Sequence, residues 1–480
     1  METQDGPSQD RVKLVASTGD ITTGYSTSSK ATDGDTETAR SQDGTVSYFE
    51  KVQWTADGTT LLASSSTNLV SGYIVPEHLL TASSELTLEP QAAVQLPETS
   101  IVLSGAPYFS LAQPWTQQLL VSARDHPIQL FCLTPSLSSP SSPASTHSPI
   151  SSYPFTKARS ETFLTATSLI WPSPGTHFIA GSRSLLARFD IQRTGEEPLT
   201  RIRTIPSERH LSKGGGVGMR GDISALGGQP MDAGLVAAGT WTRWVGLYDF
   251  TQAGTCVATW GIAAALRETA MNNEWSQEPR GIGGDGITQT IWSPCGRYLI
   301  ICERKSRGAL IYDVRVTGKL LGYLTERDAV GNQRVACDVF PSVNENSGFE
   351  VWSGTSNGIV KVWEGVGSLE GPHAPAWEWV AHRSTISNAC LHPSGTVVAT
   401  CAGSWEFPDG DDELPDDSPS NSDQSHSNNS ERGSDVSRSD FEPHSTASQM
   451  PWMHRRIKES SLKLWSVGDA PTIAQGAEHK

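Results

Sequence analysis

The sequence predicts an all-β chain folded as a seven-bladed propeller, and three observations carry that expectation. A short unit of hydrophobic run, turn, second hydrophobic run and aromatic-ended strand returns seven times, at about 40–60 residues per copy, which is the period of propeller blades. The turns share a form: W-T-A-D-G at Trp54–Gly58, W-P-S-P-G at Trp171–Gly175, W-S-P-C-G at Trp292–Gly296 and H-P-S-G at His392–Gly395. Apolar stretches such as Tyr298–Cys302 and Val397–Cys401 follow these turns, and copies end on strands such as I-V-K-V-W at Trp363 or S-L-K-L-W at Trp465. One such unit cannot bury both of its faces alone, so the copies must close into a ring.

Taken in order, residues 1–44 are Ser, Thr, Asp and Gly with few apolar groups. They cannot offset the entropy of ordering and are expected to be disordered. The propeller is expected over 45–475, with units near 46–76, 108–133, 164–191, 221–250, 286–315, 335–365 and 385–467. Their closing strands align on Ile74, Phe131, Phe189, Tyr248, Tyr312, Trp363 and Trp465. Six residues earlier stand Asn68, Asp125, Arg183, Thr242, Ser306, Asn357 and Glu459. Well-formed WD-repeats carry an Asp at that position, and here only Asp125 keeps it, so the repeat is divergent.

Two insertions interrupt the pattern. Residues 134–150, centred on Pro135–Pro149, are dense in serine and proline and read as an extended, solvated loop. Ser139, Ser142 and Ser148 each precede proline, so the segment is either a phosphorylation target or a plain spacer. Residues 404–450 fall between the second and third strands of the seventh unit and are too charged to fold. The basic, aromatic M-P-W-M-H-R-R-I-K follows at Met450–Lys458. In blade geometry this loop leaves on the ring face that also carries the connections into each first strand. If Asp409–Asp417 folds back over that face, deletion of residues 409–445 should tighten the binding of a polyanion.

The net charge of −16 is unevenly placed. Residues 404–450 hold −10 and residues 1–44 hold −4, which leaves about −2 for the predicted folded part. The acidity therefore does not argue against an anionic ligand for the core. Seven cysteines, none in a C-x-x-C pair, argue against a disulfide framework or a zinc site. No cofactor or metal is expected. The first residues, M-E-T-Q-D-G-P-S-Q-D, lack the basic and apolar regions of a signal peptide, and no stretch approaches the roughly 18 apolar residues of a membrane span. A cytosolic or nuclear chain is expected.

Two glycine runs match G-x-G-x-x-G, at Gly216, Gly218 and Gly221 and at Gly281, Gly283 and Gly286. Both precede strands with no helical periodicity behind them, so they read as loops and not as a dinucleotide site. His382 stands where WD-repeats keep a Gly-His pair and reads as a structural histidine; His392 reads as a packing aromatic. No nucleophile stands near a base at a recognisable spacing, so no enzyme is expected. Basic residues recur in the loops entering first strands: Lys157 and Arg159, Arg209, Lys213 and Arg220, Arg327 and Arg334, and Arg383. On one ring face they would form a cationic surface for phosphates, with Trp or His offering stacking for unpaired bases.

T-E-R-D-A-V-G-N-Q-R-V-A-C-D-V-F-P at Thr325–Pro341 and A-C-L-H-P-S-G-T-V-V-A-T-C-A-G-S-W-E-F-P-D-G-D-D-E at Ala389–Glu413 resemble the telomerase Cajal body protein family of WD-repeat proteins. S-A-R-D-H-P-I-Q-L-F at Ser122–Phe131 and A-A-G-T-W-T-R-W-V-G-L-Y at Ala237–Tyr248 fit as well. The resemblance covers approximately 46–467. It implies a nuclear, non-catalytic scaffold that binds small RNA, with Asn332, Gln333 and Arg334 matching the family's Asn-Gln-Arg. The Ser-Pro insertion, the long acidic insertion and the Gly-rich loops depart from the animal pattern. The expected role is thus support of small ribonucleoprotein assembly or localisation, of the small Cajal-body RNA, telomerase RNA or spliceosomal kind. The alternative is a protein-only WD-repeat scaffold, such as a splicing-associated adaptor. The expected partners are a small nuclear RNA or ribonucleoprotein and other proteins on the propeller face, with no membrane and a monomeric chain.

Overall fold

The computed structural model describes residues 11–22, 47–133, 148–205, 218–263, 282–342, 348–405 and 457–468. Seven sheets of four strands or more follow one another along the chain. Their first strands are Phe49–Trp54, Ser100–Gly105, Ser168–Ile170, Ile223–Gln229, Ile287–Trp292, Cys337–Pro341 and Ile386–Leu391. These first strands pack against their neighbours from blade to blade and so line the axis. All seven aromatic or apolar positions aligned in the sequence, Ile74 through Trp465, lie on third strands.

The shared turns work as their residues require. Gly58, Gly175, Gly296 and Gly395 sit at φ 71°, 93°, 68° and 73°, where a Cβ is strained. Each N–H closes the turn on the carbonyl three residues back, as from Gly296 to Ser293 at 2.9 Å. Side chains then alternate to opposite faces along each second strand. Leu299 and Ile301 enter the core shared with the fourth blade, while Ile300 and Cys302 enter the core shared with the sixth. Seven buried clusters result, and every one straddles two adjacent blades. No blade owns a core, which is why the repeat folds only as a ring.

Hydrogen bonds near the inner strands reinforce each junction. Ser122 Oγ donates to Ala166 O at 3.0 Å, Ser168 Oγ to Ile223 O at 2.6 Å and Ser224 Oγ to Ile287 O at 2.5 Å. Gln289 exchanges two bonds with the backbone of Cys337, the Leu391 N–H donates to Asp338, and Asn388 donates to Val52 O. The first-to-second junction has Lys51 Nζ against Leu103 O at 3.4 Å. Each such bond contributes about 0.5–1.5 kcal/mol net, and losing one strands a buried group at greater cost.

Three sequence expectations need correction. Residues 1–44 were expected to lack order, yet Val12–Ser17 is a strand, the fourth of the last blade, paired antiparallel with Ser461–Val467. Its Val15 and Ala16 are buried in the core between the last and first blades, so six residues find a contact partner that their neighbourhood in the sequence lacks. The second unit begins at Ser100, before the expected 108, because Ser100–Gly105 is its first strand. The blades also carry a fourth strand beyond the three seen in the repeat. Of the two insertions, residues 134–147 and 406–456 lie outside the described residues, as does the remainder of 1–44 apart from 11–22.

The seventh blade carries a buried polar network. Trp465 Nε1–H donates to Thr400 Oγ1 at 2.9 Å, and His382 Nε2 lies 2.7 Å from the same hydroxyl. Thr400 accepts from Trp465, so its proton points to Nε2, and His382 carries its own proton on Nδ1, 3.2 Å from Glu459 Oε1. Burial lowers the His382 pKa and keeps the ring neutral. The structural reading of His382 holds. The acidic member is Glu459, however, whereas Asp125 is exposed on a turn. His392 packs edge-on to Trp54 at 4.8 Å, as a packing aromatic should.

Candidate nucleic-acid interface

Loops between second and third strands and loops into first strands emerge on one ring face. Trp241 lies in the second-to-third turn of the fourth blade, half-buried. Arg304, in the matching turn of the fifth blade, places its guanidinium 4.8 Å from the Trp241 ring centroid. Arg334, in the loop entering the sixth blade, stands 5.4 Å from the same centroid. Cation–π contact of this kind is worth about 0.5–2 kcal/mol and holds the ring in place. Arg304 is tied to Asp285 by ion pairing at 3.2 Å and by a 2.9 Å bond to its carbonyl. Arg334 is exposed, and Trp241 is its partner among the described residues.

The loop holding Arg334 is anchored on both sides. Gln333 Nε2 donates to Ser387 Oγ and to Gly403 O, both at 2.8 Å, and the Ala336 N–H donates to Ser387 O at 2.8 Å. Gln333 therefore acts as a brace against the seventh blade, at the root of the acidic insertion. Asn332 is exposed beside it. Arg220 lies in the loop entering the fourth blade, where its carbonyl accepts from Thr242, the neighbour of Trp241. One terminal nitrogen of its guanidinium is buried with no partner among the described residues.

The remaining sequence candidates among the described residues do not join this cluster. Arg327 is a correction: it is fully buried, at 0 % exposure, and donates to Ser353 Oγ, Glu303 O and Val335 O. Beside it Cys302 and Cys337 bring their sulfurs to 3.3 Å, and the Cys302 hydrogen bond and the Arg327 charge hold the Cys337 thiol below its ordinary range. Arg327 is thus a structural strut between blades, out of reach of any ligand. Lys157 and Arg159 are exposed, but they line an open cleft of about 560 Å³ with Glu161, Glu197 and Arg201, against the outer strand of the third blade. That site is mixed in charge and belongs to the perimeter. Arg383 is 73 % exposed and faces Asp20 at 3.7 Å and Glu459 at 3.6 Å. Lys213 and Arg209 lie outside the described residues.

Trp241 and Arg304 are the residues that loop-by-loop reading of positive charge missed. The signal available was the string T-W-T-R-W at Thr240–Trp244, an exposed-turn tryptophan inside a stretch already marked by the family resemblance. Of the glycine runs, Gly218, Gly221, Gly283 and Gly286 stand in loops before strands, as expected. Among the described residues no group of three or more His, Cys, Asp or Glu side chains could hold a metal ion, and no helix is long and apolar enough to cross a membrane.

No family model matches the chain. The chain is 26% identical over 369 residues to telomerase Cajal body protein 1 of Bos taurus, an alignment covering 75% of this chain and 59% of that protein. It is 22% identical over 332 residues to guanine nucleotide-binding protein negative regulator 1 of Schizosaccharomyces pombe, covering 68% and 73% respectively. The resemblance drawn from the sequence is borne out by these alignments. The chain spans about three fifths of the length of the telomerase Cajal body proteins it matches. Among solved structures it is similar to Chaetomium thermophilum Sqt1 bound to the N-terminus of a ribosomal protein, at a TM-score of 0.49 and 16% identity, over 73% of this chain and 80% of that one.

Proposed function

We propose that this WD-repeat propeller is a non-catalytic nuclear scaffold that binds single-stranded segments of a small RNA on its loop face and supports ribonucleoprotein assembly or localisation. The observation that carries the reading is Trp241 held between Arg304 and Arg334. An aromatic face flanked by guanidinium groups suits an unpaired base and its phosphates, because every base offers a π-face and every linkage a negative charge. The similarity to proteins named for telomerase and the Cajal body supports a ribonucleoprotein partner and a nuclear compartment. Nothing in the cluster resembles an acid, base or nucleophile poised for reaction.

The test is crosslinking of the full chain to RNA in cells, with sequencing of what is bound. Enriched small nuclear RNA is the expected result. Recovery of no enriched small RNA, with protein partners that survive ribonuclease and high salt, would favour a protein-only scaffold instead. In vitro, Trp241→Ala should weaken binding by about 1–3 kcal/mol, roughly five- to 150-fold in Kd. Binding should also fall steeply as salt rises, since several phosphates release counterions.

A further inference from the structure

Several enclosed cations of this ring are paired with carboxylates. Lys361 stands within 4.0 Å of Glu326, Asp328 and Glu378; Arg243 grips Glu303 at 2.7 Å; Lys463 meets Glu459 at 2.7 Å. That is the expected arrangement, because a charge taken from water needs a partner. Among the described residues Arg327 has no carboxylate but is held by three oxygen acceptors; Lys51 has neither arrangement. It stands half-buried on the first inner strand, and among the described residues one of its three ammonium donors reaches an acceptor, Leu103 O at 3.4 Å. Among the described residues neither Lys51 nor Arg334 has a carboxylate within ion-pairing distance.

The two chain segments that carry these side chains come from distant parts of the sequence and meet at Ser387. Gln333 and Ala336 flank Arg334 and both bond to Ser387, whose hydroxyl lies 3.4 Å from Phe49 O, on the same strand as Lys51 and two residues before it. The Arg334 guanidinium then extends to the Trp241 ring of the fourth blade. Burial, followed by repulsion from the Arg334 charge, pushes the Lys51 ammonium down to about 8. Cys390, on the seventh blade's inner strand, acts in the opposite sense.

We propose that Lys51 and Arg334 form a binding site for a single phosphate group at the mouth of the ring's central opening, beside Trp241. A tetrahedral oxyanion there would accept from both cations and remove their mutual repulsion. The phosphate can belong to an RNA linkage, in which case the site rests on the reading above and fixes the nucleotide stacked on Trp241, or it can be a free phosphate.

The test uses the full chain at pH 7 and low ionic strength, with inorganic phosphate as the probe, followed by calorimetry and by thermal unfolding. Phosphate should bind and raise Tm, since it binds the folded state alone. Lys51→Met and Arg334→Met should each lose at least tenfold in phosphate affinity, while Lys157→Met on the perimeter keeps it. Unliganded Tm values verify that each variant folds. In a second arm, phosphate competes against a labelled single-stranded RNA. Competition, or weaker RNA binding by Lys51→Met, assigns the site to the RNA backbone. Phosphate binding without any RNA binding keeps the anion site and overturns the RNA reading. No phosphate binding, together with wild-type RNA affinity in Lys51→Met, overturns the site itself.

Discussion

Trp241 owes its position to a side chain that is absent. Gly286, at φ 124°, lies so close that a Cβ would stand 2.6 Å from Cε3 of Trp241 and 2.9 Å from its carbonyl oxygen. Gly286→Ala should therefore displace the indole from between its two arginines and cut RNA affinity about as far as Trp241→Ala, with a red-shifted tryptophan emission as the structural readout. Unchanged emission together with unchanged affinity would reject the link. Glu459 makes a second single-residue prediction. Burial alone raises its pKa, but bonds from His382, Lys463, Ser461 and the Arg383 N–H hold the carboxylate well below its ordinary range. A depressed folded pKa stabilises above the unfolded value, near 4.3, and that contribution is lost as pH falls below it. Chemical denaturation between pH 7 and 3 should show this loss, and Glu459→Gln should be destabilised by on the order of 2–3 kcal/mol at pH 7 with a flatter acid slope.

At the scale of elements, the strand Val12–Ser17 decides how the ring closes. It supplies the fourth strand of a blade whose other three come from the far end of the chain, in register from Val12 opposite Val467 to Ser17 opposite Lys463. Removing residues 1–18 would leave Ser461–Val467 as an open edge and uncover the core around Val15 and Ala16. The expected loss is on the order of 5 kcal/mol, from apolar area and ladder hydrogen bonds together, read as a lower Tm. A peptide of residues 9–19 added in trans should restore part of it; a Tm unchanged by the deletion would show that this strand closes nothing. The element was hidden in the sequence because V-K-L-V-A-S is short and embedded in polar residues, and its pairing partner is some of the most distant chain available. Ser100–Gly105 was hidden for a different reason: its turn lacks the Trp and Gly of Trp54–Gly58, Trp171–Gly175 and Trp292–Gly296 and runs through Pro114–Thr116, a single 3-10 turn.

At the scale of the whole molecule, each core lies between blades and the candidate interface lies between loops. The stability of any blade thus depends on its two neighbours, and a change that opens one junction weakens the closure of all seven. The interface draws Trp241, Arg304 and Arg334 from the fourth, fifth and sixth blades, and the proposed anion site adds Lys51 from the first. The ring brings three separate loop positions together into one surface. It also separates residues that looked equivalent: Arg327 and Arg334 share a loop, yet three oxygen acceptors draw one inward while an aromatic face holds the other at the surface.

The sequence by itself determined the ring. Turn glycines and period-two apolar runs are local physics, and a unit with two apolar faces has no stable state outside a closed set of copies. The string Asn332–Arg334 also marked the loop whose arginine meets Trp241. Which cations face solvent, which are struts and which lack a counter-ion was decided by tertiary structure alone. Those outcomes depend on groups brought together from distant strands: Ser387 bracing Gln333, Trp241 meeting Arg334, and Leu103 offering Lys51 one acceptor where an ammonium can use three.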